Sequence, residues 1–519
     1  MKAVGYSYLN LYYKLVLPKL GAEVYQDLKA DKECIKQYGA SVRKIIPGTW
    51  KVVDSPYEHM VLAIKHQGIR LHYFAAVFKH VNTAELALFI KSKPTSIYNR
   101  VIWYLYEWLT GELLDIDDVR SGNYIQLFDD RYYYTLQDGE KDKRTRVINN
   151  ALGTREFCPT IRKTSRILEI EQTNVYETAY AEMQNIGADL KADVIGRSIN
   201  YLYTKESKSS TEIEKETPTK QKMKRFLNTI KNAGLFELTK EKLIDIQNQI
   251  VEESKKSDDY RQNEIYAGAT IQRLGGLDED VHYIGPLAKH VSSMMDGLFA
   301  THEKLMLDAS LPSLMHATVI SFGEVYIHPL VDGNGRTHRY LIHDVMKQRE
   351  LRHEFIIPIS AAILKNSIEY DRVLETISRP IMSMLDYELD ADNDNQAIIH
   401  NDIDYMYRYP DYTEHVVFVY DMMNAAISTE LVEEICLLLV FDKIKGAIND
   451  RSDVPNDKLD TIVSIIINGA GVVSKAKQDF VSQFLGPGVL LEVEDISSEF
   501  INEVREKFEV DVQELMQRG

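Results

Sequence analysis

One stretch of the chain, His328-Pro-Leu-Val-Asp-Gly-Asn-Gly-Arg-Thr-His-Arg339, gathers the groups that phosphate chemistry needs. Histidine ordinarily titrates near neutrality, so His328 could take a proton from a hydroxyl. Asp332 supplies one hard carboxylate, enough to hold Mg2+ while substrate phosphates complete the octahedron. Gly333, Asn334 and Gly335 let backbone approach an anion, and Arg336 and Arg339 carry planar forks that suit phosphate oxygens. Each element alone is commonplace, since Gly-Asn-Gly turns and helix-end histidines abound where nothing binds. Their combination points to the phosphates of a nucleotide.

Two helices must position these groups. From Ser310 and Pro312 to Ile327 the run is apolar nearly all round (Leu314, Met315, Val319, Ile320, Phe322, Val325), which predicts a buried helix ending at His328. Arg336 to Gln348 resumes a helical pattern through Tyr340, Leu341, Val345 and Met346, so the glycine loop falls at a helix N-terminus. There, unpaired N–H groups and the macrodipole favour an anion. Arg336 and Arg339 are three residues apart, share a face and lean back toward that end.

The stretch resembles the signature of the Fic family, His-x-Phe-x-(Asp/Glu)-Gly-Asn-Gly-Arg-x-x-Arg, with Leu330 where the family usually has Phe. The resemblance implies a helical bundle that transfers AMP from ATP to a Ser, Thr or Tyr hydroxyl of a target protein, releasing pyrophosphate. By position, it implies that His328 deprotonates the hydroxyl and that Asp332 holds Mg2+ on the α- and β-phosphates. Gly333, Asn334 and Gly335 would cradle the phosphates, with Arg336 and Arg339 at the β/γ end. ATP is then the substrate and Mg2+ the cofactor. Fic-type enzymes that move another phosphate-linked group, or remove AMP, are alternatives. So is an ATP-sensing regulatory protein that binds DNA or a partner through its C-terminal module.

Ser209-Ser-Thr-Glu-Ile-Glu-Lys-Glu216 resembles the family's inhibitory motif, (Ser/Thr)-x-x-x-Glu-(Gly/Asn), with Ser210 and Glu214 in the defining places and Lys215 in the last. The resemblance implies self-inhibition by a helix over about 205–217, on which Glu214 pairs with Arg339 and obstructs the γ-phosphate. Ser209 and Glu212 could cap such a helix and Thr217-Pro218 end it, although composition alone favours a solvated linker. Residues 260–284 break helical periodicity around Gly275-Gly276, which predicts a hairpin. In the family a flap here takes the target by strand addition, so Val281, Tyr283 and Ile284 are expected to hold target backbone. Asn366 and Tyr370 fall where relatives contribute to an adenosine pocket, with core packing as the alternative for Tyr370.

The rest of the chain supplies context. At 519 residues, two to four domains are expected. The fold expected is mainly α: a mostly helical N-terminal region over 1–160, a Fic-type bundle with a small β-hairpin flap over 161–382, an acidic linker over 383–409, and a helical or winged-helix-like domain over 410–519. Within the first region, residues 124–128 and 131–135 look β-like. In the last, the helical patterns at Leu459 and Ser474 flank a Gly-Ala-Gly break, a shape that binds DNA in some proteins and partners in others. A formal charge of −17 argues against nucleic acid and favours a protein-binding or homodimerising tail. Three distant cysteines suit reduced thiols in the cytoplasm, and no apolar run reaches membrane-spanning length.

Overall fold

Apolar residues at helical spacing run through most of the chain, and most of it is helix. The computed structural model describes every residue except 19, 39–40, 187–191, 217–218, 274–275, 351–354, 391–394 and 519. Thr217, Pro218 and Gly275 therefore lie outside the described residues. Two compact units are formed. One comprises Met1–Leu168, Phe236–Arg349 and Tyr370–Val417, the other Glu169–Leu235, Glu350–Glu369 and Phe418–Gly519. No helix among the described residues is long and apolar enough to cross a membrane.

In the first unit the helix Ser313–Ile327 is buried on nearly every side. It packs against Ala288–Leu307 and, after the loop 328–333, against Asn334–Arg349, which buries Tyr340, Leu341, Val345 and Met346. Lys240–Ile250 covers the second of these signature helices. The predicted hairpin forms from Tyr266–Arg273 and Gly276–Ile284, antiparallel with an irregularity at Ala267/Gly268.

The N-terminal region is less helical than expected. It opens with a four-stranded sheet in which Ala22–Asp27 pairs antiparallel with Lys2–Val4 and parallel with Ser41–Pro47, and Cys34–Tyr38 forms the far edge. The alternation that would betray Ala22–Asp27 is hidden, because Gln26 fills its second buried position. Its amide donates to the carbonyls of Pro47 and Trp50, which satisfies it inside. Helices Pro56–Gln67, Leu71–Phe78 and Ile97–Thr110 enclose a core around Tyr73, Phe74, Trp103 and Tyr106. Of the two β-like patches, only Ile125–Gln126 becomes a strand, whereas near 131–135 Tyr133 makes one isolated bridge to Arg162. Within 383–409, Tyr387–Asp390 and Gln396–Ile399 pair as a hairpin rather than a plain linker.

The second unit contains the long helix Ala192–Ile213 and the C-terminal helices. Asn456–Asn468 and Lys475–Val481 flank the Gly-Ala-Gly break, and no strand accompanies them among the described residues from 418 onward. This segment is therefore helical, without a wing.

Beside the signature helices one polar chain is buried, and its hydrogens can be assigned from one end. The Asp344 carboxylate only accepts, so Gln348 turns its amide nitrogen to it at 2.8 Å. The Gln348 oxygen then accepts from His302 Nε2 at 3.1 Å, which leaves His302 Nδ1 to accept from His316 Nε2 at 3.0 Å. Both rings are neutral in this arrangement. Burial pulls His302 down to about 4, against a smaller upward pull from Gln348, and burial takes His316 well below its ordinary value. The unfolded chain protonates both near pH 6.5, while the folded chain protonates His302 only near 4 and His316 only well below its ordinary value, so stability is lost as pH falls below about 6.5. Each site can contribute at most about 1.4 kcal/mol per pH unit. Thermal unfolding followed from pH 7.5 to 5 should show a falling midpoint, with a shallower slope in His302→Gln; equal slopes would contradict the assignment.

Candidate functional site

His328 ends its helix in the left-handed conformation, at φ 51° and ψ 57°. A non-glycine residue pays roughly 1–2 kcal/mol for that geometry. Surrounding bonds hold it there. The His328 N–H donates to Glu324 O at 2.8 Å, and the His328 carbonyl accepts from Arg261 Nε at 2.7 Å. Its Nδ1 lies 3.0 Å from the Val325 carbonyl, which can only accept. The proton therefore sits on Nδ1, and Nε2 is the basic nitrogen of the ring.

Leu330 is fully buried and packs in the core beneath the loop. The loop turns on Gly333, whose φ of 85° favours glycine; an added Cβ would also come 2.8 Å from Val251 Cγ1. Asn334 is buried and braces the loop from within, accepting from Leu330 N at 3.0 Å and donating to Leu330 O at 2.8 Å. Its own helix starts here, so the loop faces the first N–H groups of Asn334–Arg349, which have no acceptor within the helix.

Asp332 sits at the mouth of this loop. One carboxylate oxygen meets Arg336 at 3.1 Å and the other meets Lys255 at 2.5 Å. Burial pushes its pKa up, but Lys255 and Arg336 outweigh that and hold it below the ordinary carboxylate value. Gln247, fully buried, ties the strap together by donating to Asp332 O at 3.2 Å and Lys255 O at 3.0 Å. Arg336 and Arg339 are both almost fully buried. Lys255, Gln247 and Arg261 were not identified from sequence as parts of this site. They lie 66 to 85 residues upstream of the groups they touch in the signature stretch and the helix end before it, and no local pattern marks them.

The other expected residues are placed as follows. Tyr283 is buried and its hydroxyl donates to the Tyr326 carbonyl, while the Ile284 carbonyl accepts from Tyr407 at 2.8 Å. These two anchor the hairpin, and Val281 is half-buried. Tyr370 is buried, its ring parallel to that of His338 with centroids 6.3 Å apart, an arrangement of core packing. Asn366 donates from its side chain to Ala362 O at 2.8 Å and closes the helix Ile359–Lys365.

The segment read as a separate inhibitory helix is instead the last part of Ala192–Ile213. Ser209 and Glu212 lie inside it, so no capping box forms. Ser210 is buried in its last turn, and Glu214 is exposed in the turn that follows, where Lys215 has φ 56°. The buried stripe of this helix (Leu202, Tyr203, Glu206, Ser207, Ser210, Thr211) is largely polar. That composition is why the segment looked solvated. Glu206 is satisfied by capping Ser360, accepting from its N–H at 2.9 Å and its hydroxyl at 2.5 Å.

The first unit thus brings together a helix N-terminus, one half-buried carboxylate, two buried guanidinium groups and an oriented imidazole. Residues 237–346 match the model of the Fic/DOC family, so the chain carries a Fic/DOC domain over this segment. Among solved structures the chain is similar to a Fic domain containing signaling protein from Bacteroides thetaiotaomicron VPI-5482, at 14% identity over 49% of this chain and 96% of that one, with a TM-score of 0.32. It is also similar to a Fic family protein from Desulfovibrio desulfuricans G20, at 15% identity over 64% and 87%, with a TM-score of 0.32. No curated protein matches the chain.

Asn334→Ala would leave the buried N–H and C=O of Leu330 without the side chain that satisfies both. A loss of about 1–3 kcal/mol is expected in denaturant unfolding. A loss within error would mean that the loop closes without this brace.

Proposed function

We propose that the chain is a self-inhibited protein adenylyltransferase, transferring AMP from ATP to a Ser, Thr or Tyr hydroxyl of a target protein and of itself. The observation that carries this reading is the bond from His328 Nδ1 to the Val325 carbonyl, which leaves Nε2 as the ring nitrogen able to accept a proton. In the reaction, His328 Nε2 takes the hydroxyl proton and the hydroxyl oxygen bonds to the α-phosphorus. The α-phosphorus bond to the bridging oxygen breaks, and pyrophosphate leaves. Loop N–H groups at 333–335 and the Arg336 and Arg339 guanidinium groups meet the charge on the phosphates, already in place before reaction.

The residues present fit Mg2+. Asp332 is a carboxylate at the mouth of the loop, and both its oxygens already face cationic groups, so it stabilises positive charge there. When bound, Mg2+ would offset charge on the α- and β-phosphates. The target chain would add along the hairpin near Val281. The brake is Glu214, acting on Arg339, with Ser210 seating the end of its helix. The proposed catalytic domain is 161–382, working in the cytoplasm.

The test is incubation of the wild type, His328→Ala and Glu214→Gly with Mg2+ and ATP labelled at the α-phosphate, read by intact mass. Glu214→Gly should gain AMP at least about tenfold faster than the wild type, the effect of removing roughly 1.4 kcal/mol of obstruction. His328→Ala should gain none while still binding ATP. Label from another nucleotide donor, or loss of AMP from a modified substrate, would replace this reaction with a different one at the same site. A Glu214→Gly variant no faster than the wild type would remove the brake.

A further inference from the structure

Arg261 stands just before the hairpin, yet its side chain points inward and is only 2% exposed. All three guanidinium nitrogens are used. Nε donates to His328 O at 2.7 Å, one terminal nitrogen to Asn263 O at 2.8 Å, and the other to Pro286 O at 2.6 Å and more loosely to Ile327 O at 3.5 Å. Its backbone N–H donates to Pro329 O at 2.9 Å. Two of these carbonyls, Ile327 and His328, belong to the last turn of the helix that ends at the base. Such carbonyls have no partner within a helix, and a cation there also meets the negative end of the helix dipole. The other two carbonyls flank the hairpin, Asn263 before its first strand and Pro286 after its second.

We propose that Arg261 is a positioning residue that fastens the hairpin base and the His328 turn into one rigid piece, so that a target strand seated on the hairpin meets a base already aimed at its hydroxyl. The inference rests on the reading of His328 as the base. A fork suits this place because the acceptors are spread over all three guanidinium nitrogens; a lysine ammonium is a point charge and cannot reach all of them. Gly285 supplies an independent observation. An added Cβ at Gly285 would stand 2.9 Å from the Arg261 nitrogen that holds Pro286, and the bonds of that guanidinium leave it little room to retreat. The close approach explains why glycine occupies the hairpin exit. Tyr283 to Tyr326 O, Tyr407 to Ile284 O at 2.8 Å and Gly285 N–H to Ile265 O at 3.0 Å also hold the hairpin, but these bonds end on groups other than His328.

The test uses the full chain with Arg261→Lys and Gly285→Ala, and two readouts. Backbone hydrogen exchange should quicken in peptides covering 325–332 while those covering 336–346 stay protected. Transfer measured on the Glu214→Gly background should show kcat down about 10- to 100-fold for Arg261→Lys, the scale of a misplacement near 1 Å. KM for ATP should move less than about threefold, since the phosphate loop is braced by Asn334 and Gln247 instead. Gly285→Ala should change both readouts in the same direction and by less. Unchanged exchange at 325–332 in both variants would overturn the proposal. So would kcat and KM failing together with exchange quickened across the whole unit, which would make Arg261 a stabiliser only. Exchange needs no turnover, so a parent protein without His328-dependent transfer would sink the enzymatic reading while the clamp is still judged by exchange.

Discussion

Everything at the site depends on a single left-handed residue. The helix before His328 must stop in one step, because the next helix has to begin close enough to present its N-terminus to the same ligand. That abrupt stop buries backbone groups that no longer have helical partners, and each would cost about 1–3 kcal/mol if left unsatisfied. Three side chains satisfy them: Arg261 the carbonyls of Ile327 and His328, Asn334 within the loop both polar groups of Leu330, and Gln247 the carbonyl of Asp332. The site is rigid because its backbone is hydrogen-bonded from three directions, and rigidity is what an arrangement of donors needs to act on a transition state.

Charge follows the same logic. Arg336 is almost fully buried, and a buried guanidinium is tolerable only when paired. Asp332 shares itself between Arg336 and Lys255 and thereby remains ionised despite its burial. Ligand binding at this place would exchange one set of partners for another rather than charge an empty cavity. The neighbouring imidazoles are treated in the opposite way. His302 and His316 are kept neutral by burial and by a chain of bonds that ends on Asp344.

Much of the site was legible in the sequence because its parts are contiguous. The two helices, the loop between them and the hairpin are all local patterns, and all four formed where the residues placed them. What the sequence hid is what comes from a distance or runs against type. Arg261, Gln247 and Lys255 act through contacts across 66 to 85 residues. The strand Ala22–Asp27 places Gln26 inside, and the helix Ala192–Ile213 buries serine and threonine on the face that packs, so hydrophobic periodicity fails for both. Ser209 and Glu212 have the spacing of a helix start, yet a helix already under way absorbs them. Local capping chemistry is worth about 1 kcal/mol and yields to the packing of a longer element.

In the proposed reaction, an oriented imidazole and a helix N-terminus act on one nucleotide, the imidazole at its α-phosphate and the N–H groups at its β-phosphate. The most direct measurement is a crystal structure with Mn2+ and an ATP analogue that cannot be cleaved between the α- and β-phosphates. The account predicts β-phosphate oxygens on the N–H groups of 334–336, anomalous density about 2.1 Å from an Asp332 oxygen, and the α-phosphorus on the Nε2 side of His328. An analogue bound elsewhere, or bound here with its α-phosphate turned away from that nitrogen, would contradict it.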